Sequence, residues 1–278
     1  MKAFAVLALT FSSFGLYAKE LKESVKNLKL KLSTNADKIF NKYFKGQNLE
    51  LASSDNEFMS IFMNFAFGEA FETSFLDEKT KFKCIIAALV ANDGLSEFES
   101  LSLAALKAGV KPEEIKEILY QATAYVGFAR SSAFIKASAK VFKKLNIVLQ
   151  DNRAQTTQEN RLEKGLEIQV AFFGSAMRKI PKDMSEDMYF IREFLSKNCF
   201  GDYYTRAGLD LKFRELLTFV LLASVGNAQP QLEAHIKGNL NIGNDRKLLI
   251  AAIRVIIPYI GYPKALNAFN SIDKITKN

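Results

Sequence analysis

Few side chains in this 278-residue sequence could carry acid–base or thiol chemistry. His235 is the single histidine, and an imidazole can move protons near neutral pH, although a lone histidine can also be structural. The two cysteines, Cys84 and Cys199, lie far apart, and the chain contains no C-x-x-C motif. Both lie in apolar stretches, which favours buried free thiols even where an exported location would permit a disulfide.

The sequence repeats itself. The segment Phe-Gly-Glu-Ala-Phe at 67–71 recurs as Phe-Gly-Asp-Tyr-Tyr at 200–204, which is 133 residues later. Further on, Tyr-Val-Gly-Phe at 125–128 recurs as Tyr-Ile-Gly-Tyr at 259–262, now 134 residues later. An ordered set of matches at nearly constant spacing indicates a duplication, with one residue inserted between the two blocks.

Both copies contain residues that are typical of helix starts and ends. Asp77 and Asp210 are suited to be N-cap residues, because a carboxylate accepts hydrogen bonds from the free N–H groups of a first helical turn. Pro112, followed by two glutamates, marks another helix start. We expect Asn244 to cap a later helix and Pro258 to end or kink it. No segment alternates with a period of two, so the sequence predicts an all-α fold.

The first eighteen residues predict a cleavable secretory signal, because a short apolar segment follows Lys2. An uncleaved N-terminal anchor is the alternative. We therefore expect a periplasmic or secreted protein with no stable membrane span after cleavage. The predicted organisation is a signal peptide at 1–18, a helical lead-in at 19–48, a first copy at 49–149, a polar linker at 150–160 and a second copy at 161–278.

The formal net charge of +8 is spread over many lysines rather than packed into one block. No signature of a nucleic-acid-binding module is present, and a basic surface raises the local concentration of small anions. We therefore expect a small anionic molecule as partner and no nucleic acid. The sequence also shows no metal-ligand spacing, phosphate loop or nucleotide fingerprint, so we expect no cofactor.

The second copy resembles the carboxymuconolactone decarboxylase family, whose fold is that of alkylhydroperoxidase D. The resemblance lies in ordered blocks at 200–216, 226–235 and 258–268, and the first copy is a weaker match. It implies two tandem all-helical domains and a homo-oligomer, with a trimer favoured because a duplicated chain would imitate a hexamer of single domains.

The resemblance implies two chemistries. The thiol-peroxidase branch needs a C-x-x-C ahead of its histidine, but those positions here are Ala228 and Gln231. The decarboxylase branch needs a proton donor and stabilisation of an enolate. The resemblance places His235 and Glu215 as the catalytic pair. Arginines bind carboxylates two donors at a time, so Arg206 and Arg214 are candidate substrate clamps.

The first copy lacks these groups, since Leu101 stands at the histidine position, Phe82 at the glutamate position and Lys81 at that of Arg214. We therefore predict that only the second copy keeps a site, and that the chain is a cofactor-free decarboxylase-like lyase or a related acid–base catalyst. The alternatives are a non-catalytic exported binding or scaffold protein, and redox work through Cys84 and Cys199.

Overall fold

The computed structural model of the chain describes residues 30–149 and 153–277. It is 76% helical, and none of the described residues forms a strand, so the all-α prediction is confirmed. The predicted signal peptide at 1–18 lies outside the described residues, as do the first part of the lead-in and the start of the linker. Within the described ranges, no helix is both long enough and apolar enough to cross a membrane.

The chain divides into two compact units, with the division after Glu69. In the first unit, Ser33 caps the first helix by accepting a hydrogen bond from the Ala36 amide (3.3 Å). The elements that begin in this unit are α1 (Thr34–Ile39), the π-helical segment π1 (Phe40–Phe44), α2 (Glu50–Ser54), α3 (Asn56–Met63) and π2 (Asn64–Phe71).

The second unit shows the duplication in its helices. The first copy supplies α4 (Glu78–Ala91), α5 (Leu95–Lys107) and α6 (Pro112–Lys144). The second copy, which the sequence predicts to start at residue 161, begins with α7 (Arg161–Phe173), two short 3₁₀ turns (Ser175–Arg178 and Glu186–Met188), α8 (Tyr189–Phe194) and the π-helical segment π3 (Leu195–Tyr204). The second copy then supplies α9 (Leu211–Val225), α10 (Gln229–Asn241), α11 (Arg246–Ile260) and α12 (Tyr262–Thr276).

Equivalent glycines break the helices in both copies. The backbone of α6 leaves the helical region at Gly127 (φ 77°, ψ 162°), and Gly261 separates α11 from α12 with φ 79° and ψ 162°. A positive φ of this kind is readily adopted by glycine and strained for other residues. The recurrence of Tyr-x-Gly in the sequence is therefore a recurrence of the same bend.

The helix ends confirm some sequence predictions and correct two. Asp77 and Asp210 cap α4 and α9 as expected, each accepting from the amide three residues later. Asn244 does not cap α11; Asp245 does, while the buried Asn244 side chain donates to the Lys212 carbonyl (2.9 Å). Of the two effects predicted for Pro258, ending the helix at its own position is wrong, since α11 continues to Ile260.

The two copies share one core. Helices α4 and α9 are buried on nearly all sides and pack against each other, and both also contact α11 and α6. A helix that is apolar on most sides belongs in the interior of a domain, which explains the apolar run at 84–91 in α4 and the run at 216–225 in α9, where Thr218 and Ser224 are the buried polar residues. The division after Glu69 and the predicted linker at 150–160 are therefore different boundaries, and the extents of the two copies stay predictions.

Close contact between the backbones of α7 and π3 sets the position of Tyr204, the last residue of π3. A Cβ on Gly165 would overlap the Ser196 carbonyl oxygen, and a Cβ on Gly201 would overlap the Arg161 carbonyl oxygen. These glycines bring the two backbones together, so that Phe172 at the end of α7 contacts the rings of Phe200 and Tyr204.

Candidate functional site

His235 and Glu215, the predicted catalytic pair, lie in direct contact. Nδ1 of His235 on α10 is 2.7 Å from Oε1 of Glu215 on α9. The Glu215 side chain is fully buried, whereas 12% of the His235 side chain is exposed. A carboxylate can only accept, so Nδ1 donates the proton of this bond and Nε2 is left for chemistry. Among the described residues, none forms a hydrogen bond with Nε2.

The backbone around the pair is held by a buried amide. The side-chain nitrogen of Asn239 donates to the backbone carbonyls of Glu215 (3.0 Å) and His235 (2.7 Å), tying α9 to α10. Its side-chain oxygen accepts from Asn244 (2.8 Å), the residue that the sequence predicts to be a helix cap. The ring of Phe173 meets the imidazole edge to face, with centroids 5.3 Å apart.

The absence of a side chain at Gly238 leaves the space that the Glu215 carboxylate occupies. A Cβ at this position would overlap Glu215 Oε1 and would lie 3.0 Å from a ring carbon of Phe173. We expect Gly238→Ala to push the carboxylate away from His235 and to lower the free energy of unfolding by about 1–3 kcal/mol, as overpacking of a core does.

Urea unfolding measures that stability change, and the ring nitrogen shifts of His235 measure the displacement. Lys237→Ala, on the exposed side of the same helix, is the control. Gly238→Ala with wild-type stability and an unchanged His235 spectrum would show that the carboxylate has room to move.

A cluster of hydroxyl groups continues from the carboxylate. Tyr204 of π3 donates to Oε2 of Glu215 (3.4 Å) and is in short contact with the Thr218 hydroxyl. The hydroxyl of Tyr125 lies 2.9 Å from both the Tyr204 and the Thr218 hydroxyls. Burial raises the pKa of Tyr125 and of Tyr204 well above the usual value, so both phenols stay protonated.

Tyr125 belongs to α6, in the first copy, and sequence reasoning did not assign it to the site. Its ring also faces that of His235, with centroids 6.4 Å apart. The sequence did single out Tyr125, as part of the recurring Tyr-x-Gly. A tyrosine two residues before a conformationally required glycine is the signal that the sequence offers, and by itself it indicates only the repeat.

The two predicted arginines lie together around a third residue. Arg214 is fully buried and donates to Glu117 of α6 (3.1 Å), to the Gln121 side chain (2.9 Å) and to the Arg206 carbonyl (2.6 Å). The Arg206 guanidinium donates from Nε to both oxygens of the buried Glu117 carboxylate, at 3.1 and 3.0 Å, and stacks on Tyr120. Both arginines thus bind a carboxylate of the protein itself.

The two cysteines are buried and unpaired with each other. Burial raises the pKa of the Cys84 thiol and of the Cys199 thiol to about 12 each, and Cys199 lies 3.8 Å from the Tyr125 hydroxyl. We expect neither thiol of the native protein to react with a disulfide reagent at about pH 8, because thiolate is the reactive form.

After unfolding in guanidinium, both cysteines should react, giving two equivalents per chain by absorbance. Fast labelling of the native protein would contradict this and would favour redox chemistry.

The positions equivalent to the pair in the first copy are apolar and buried: Phe82 is 0% and Leu101 is 4% exposed. Lys81, the counterpart of Arg214, lies over the Phe71 ring (4.6 Å), and burial lowers its pKa. Within residues 30–149 and 153–277, no three His, Cys, Asp or Glu side chains form a group that could hold a metal ion.

Comparison with known proteins identifies the family. The chain is 25% identical over 121 residues to the 4-carboxymuconolactone decarboxylase of Acinetobacter baylyi, an alignment covering 43% of this chain and 90% of that protein. The profile of the carboxymuconolactone decarboxylase family matches residues 56–140 and again residues 191–274, more than half of the chain in two tandem regions. The chain therefore belongs to the carboxymuconolactone decarboxylase family.

Proposed function

We propose that this protein is a cofactor-free acid–base catalyst that decarboxylates a small lactone or carboxylic acid, with His235 and Glu215 as its catalytic pair. The observation that carries the proposal is the 2.7 Å contact between a nearly buried imidazole and a fully buried carboxylate. The likeness to a decarboxylase of the same family supports the choice of reaction.

The proposed reaction needs one proton and no oxidant. The bond between the carboxylate carbon and the ring carbon breaks, CO₂ leaves, and the electron pair is delocalised over the unsaturated lactone as an enolate. His235, as an imidazolium, gives its Nε2 proton to the carbon that lost CO₂. Glu215 keeps Nδ1–H oriented and stabilises the positive charge of the ring in the meantime. A proton from water restores the imidazolium.

We propose a positioning role for Arg206 and Arg214 in place of the substrate clamp that the sequence suggested. Both guanidinium groups already bind the Glu117 carboxylate, and Arg214 has no exposed surface. Because Arg214 directly precedes Glu215 on α9, fixing its side chain also fixes the start of the helix that carries the catalytic carboxylate.

A non-catalytic binding or scaffold protein is the second candidate, and the predicted export signal at 1–18 favours it. A thiol peroxidase is disfavoured, because Ala228 and Gln231 occupy the dithiol positions and the two cysteines are buried. We further propose that the mature protein is periplasmic or secreted and forms a homo-oligomer, with a trimer favoured. N-terminal sequencing of the exported protein and its native mass test these two points.

The direct test is CO₂ release by the purified wild-type protein, without added metal or cofactor. The panel contains 4-carboxymuconolactone and related lactone acids and carboxylates. We expect turnover of at least one acid and protonation at carbon, seen as deuterium incorporation in heavy water. Tight binding of a panel member without CO₂ release would favour the scaffold protein, and the lyase would then be rejected.

A further inference from the structure

We propose that the first copy supplies part of the second copy's site: Tyr125 is a positioning residue that acts through the Tyr204 hydroxyl on the Glu215 carboxylate. The inference rests on the proposed function, and it assigns to the first copy a task beyond packing. The argument begins with the helix that carries Tyr125.

Helix α6 presents a stripe of three buried or half-buried polar side chains to α9. Glu117, Gln121 and Tyr125 are spaced four residues apart, which places them on one face of the helix. Glu117 accepts from Arg214 (3.1 Å), and Gln121 donates to the Thr218 hydroxyl (3.0 Å). All three therefore contact the helix that carries Glu215.

The stripe is a property of the first copy alone. The equivalent positions in the second copy, one repeat later on α11, are Ala251, Val255 and Tyr259. The glutamate and the glutamine are thus absent from α11, which contacts the helix of the apolar first-copy positions. They are present on α6, which contacts the helix that carries Glu215. Glu117 and Gln121 therefore belong to the contact of α6 with α9, and the equivalent contact of α11 with α4 has no counterpart of them.

The direction of the hydrogen bonds gives Tyr125 its effect. Either phenol could donate in the contact between Tyr125 and Tyr204 (2.9 Å), and both also contact the Thr218 hydroxyl, which donates to the Arg214 carbonyl (3.2 Å). We assign the single proton of Tyr204 to Glu215 and that of Tyr125 to the Tyr204 oxygen. An accepting hydroxyl becomes a better donor, because hydrogen bonds in a chain polarise one another. Tyr125 thereby strengthens the bond that fixes Oε2, while His235 holds Oε1. Both oxygens of the carboxylate therefore have a hydrogen-bond partner, and the bond from Tyr204 to Oε2 depends on a residue of the first copy.

Tyr125→Phe removes the hydroxyl and keeps the ring that faces His235. In the ligand-free protein, we expect the ring nitrogen shifts of His235 to move, which ¹⁵N labelling of the single histidine makes easy to observe. In the active enzyme, we expect kcat to fall by roughly 10- to 100-fold with little change in KM, as for a misplaced catalytic group. Tyr259→Phe, the same change at the equivalent position of the second copy, should alter neither.

A double-mutant cycle separates this role from simple packing. In a Tyr204→Phe background the link to Glu215 is already broken, so adding Tyr125→Phe should leave the His235 shifts where they were. Thermal unfolding shows that the variants are folded. Equal effects of Tyr125→Phe with and without Tyr204, or none at all, would overturn the inference. The spectrum needs no substrate. Absence of CO₂ release would therefore reject the proposed function, and the His235 shifts of the variants would still test the role of Tyr125.

Discussion

Replacing His235 by alanine should lower turnover of any accepted substrate by about 10²- to 10⁴-fold, the usual contribution of a positioned acid or base. The chain contains no other histidine, so no second imidazole can take over the proton transfer. Glu215 remains, but its fully buried side chain lies on the Nδ1 side of the imidazole, away from the Nε2 atom to which we assign the proton transfer. Initial rates of CO₂ release, measured for wild type and variant at equal concentration, test this prediction.

Glu233→Gln is the matched control. Glu233 lies on the same helix as His235 but on another face, where it pairs with Lys274 at 2.8 Å. We expect wild-type turnover from this variant. Turnover by His235→Ala within a few-fold of wild type would remove His235 from the mechanism, whatever the state of the fold.

The largest effect on stability should come from Glu117→Gln. The Glu117 carboxylate has no exposed surface and accepts from two arginines, Arg206 and Arg214. Burial lowers the pKa of Arg214, and the ion pair with Glu117 opposes that shift. Removing the negative charge leaves two guanidinium groups facing each other in the core. Breaking a buried pair in this way costs roughly 3–5 kcal/mol of unfolding free energy, which urea denaturation measures.

An exposed ion pair gives the comparison. Glu163 and Arg178 form a two-bond pair at 2.9 and 3.2 Å on the protein surface. Glu163→Gln should leave the urea midpoint unchanged, because solvent screens such pairs. If Glu117→Gln behaved in the same way, water or a relaxed conformation would have to satisfy both arginines.

Local features of the fold could be predicted from the sequence. Asp77 and Asp210 were identified as helix caps because an N-cap acts within three residues. The cap of α11 is Asp245 and not the predicted Asn244, and the two residue types cap helices about equally well. The Asn244 side chain is buried and donates to the Asn239 side-chain oxygen, so it does not cap the helix.

The candidate site could be predicted in part, and here the limit is distance along the chain. His235 and Glu215 lie on consecutive helices of one copy, so a family pattern could pair them. Tyr125 meets Tyr204 across 79 residues, and Glu117 meets Arg214 across 97. Contacts between copies depend on how α6 packs on α9, which no local pattern encodes. An arginine without a visible partner was therefore assigned to a substrate.

The measurement that most directly tests the central claim uses the single histidine as a probe. Ring ¹⁵N spectra of His235 would be recorded for the protein alone and with each member of the lactone and carboxylate panel. For the neutral form of the ring, the account predicts a single tautomer that carries its proton on Nδ1 and donates it to Glu215, and it predicts a further shift with at least one ligand. A mixture of tautomers like that of free histidine, undisturbed by every ligand, would contradict it.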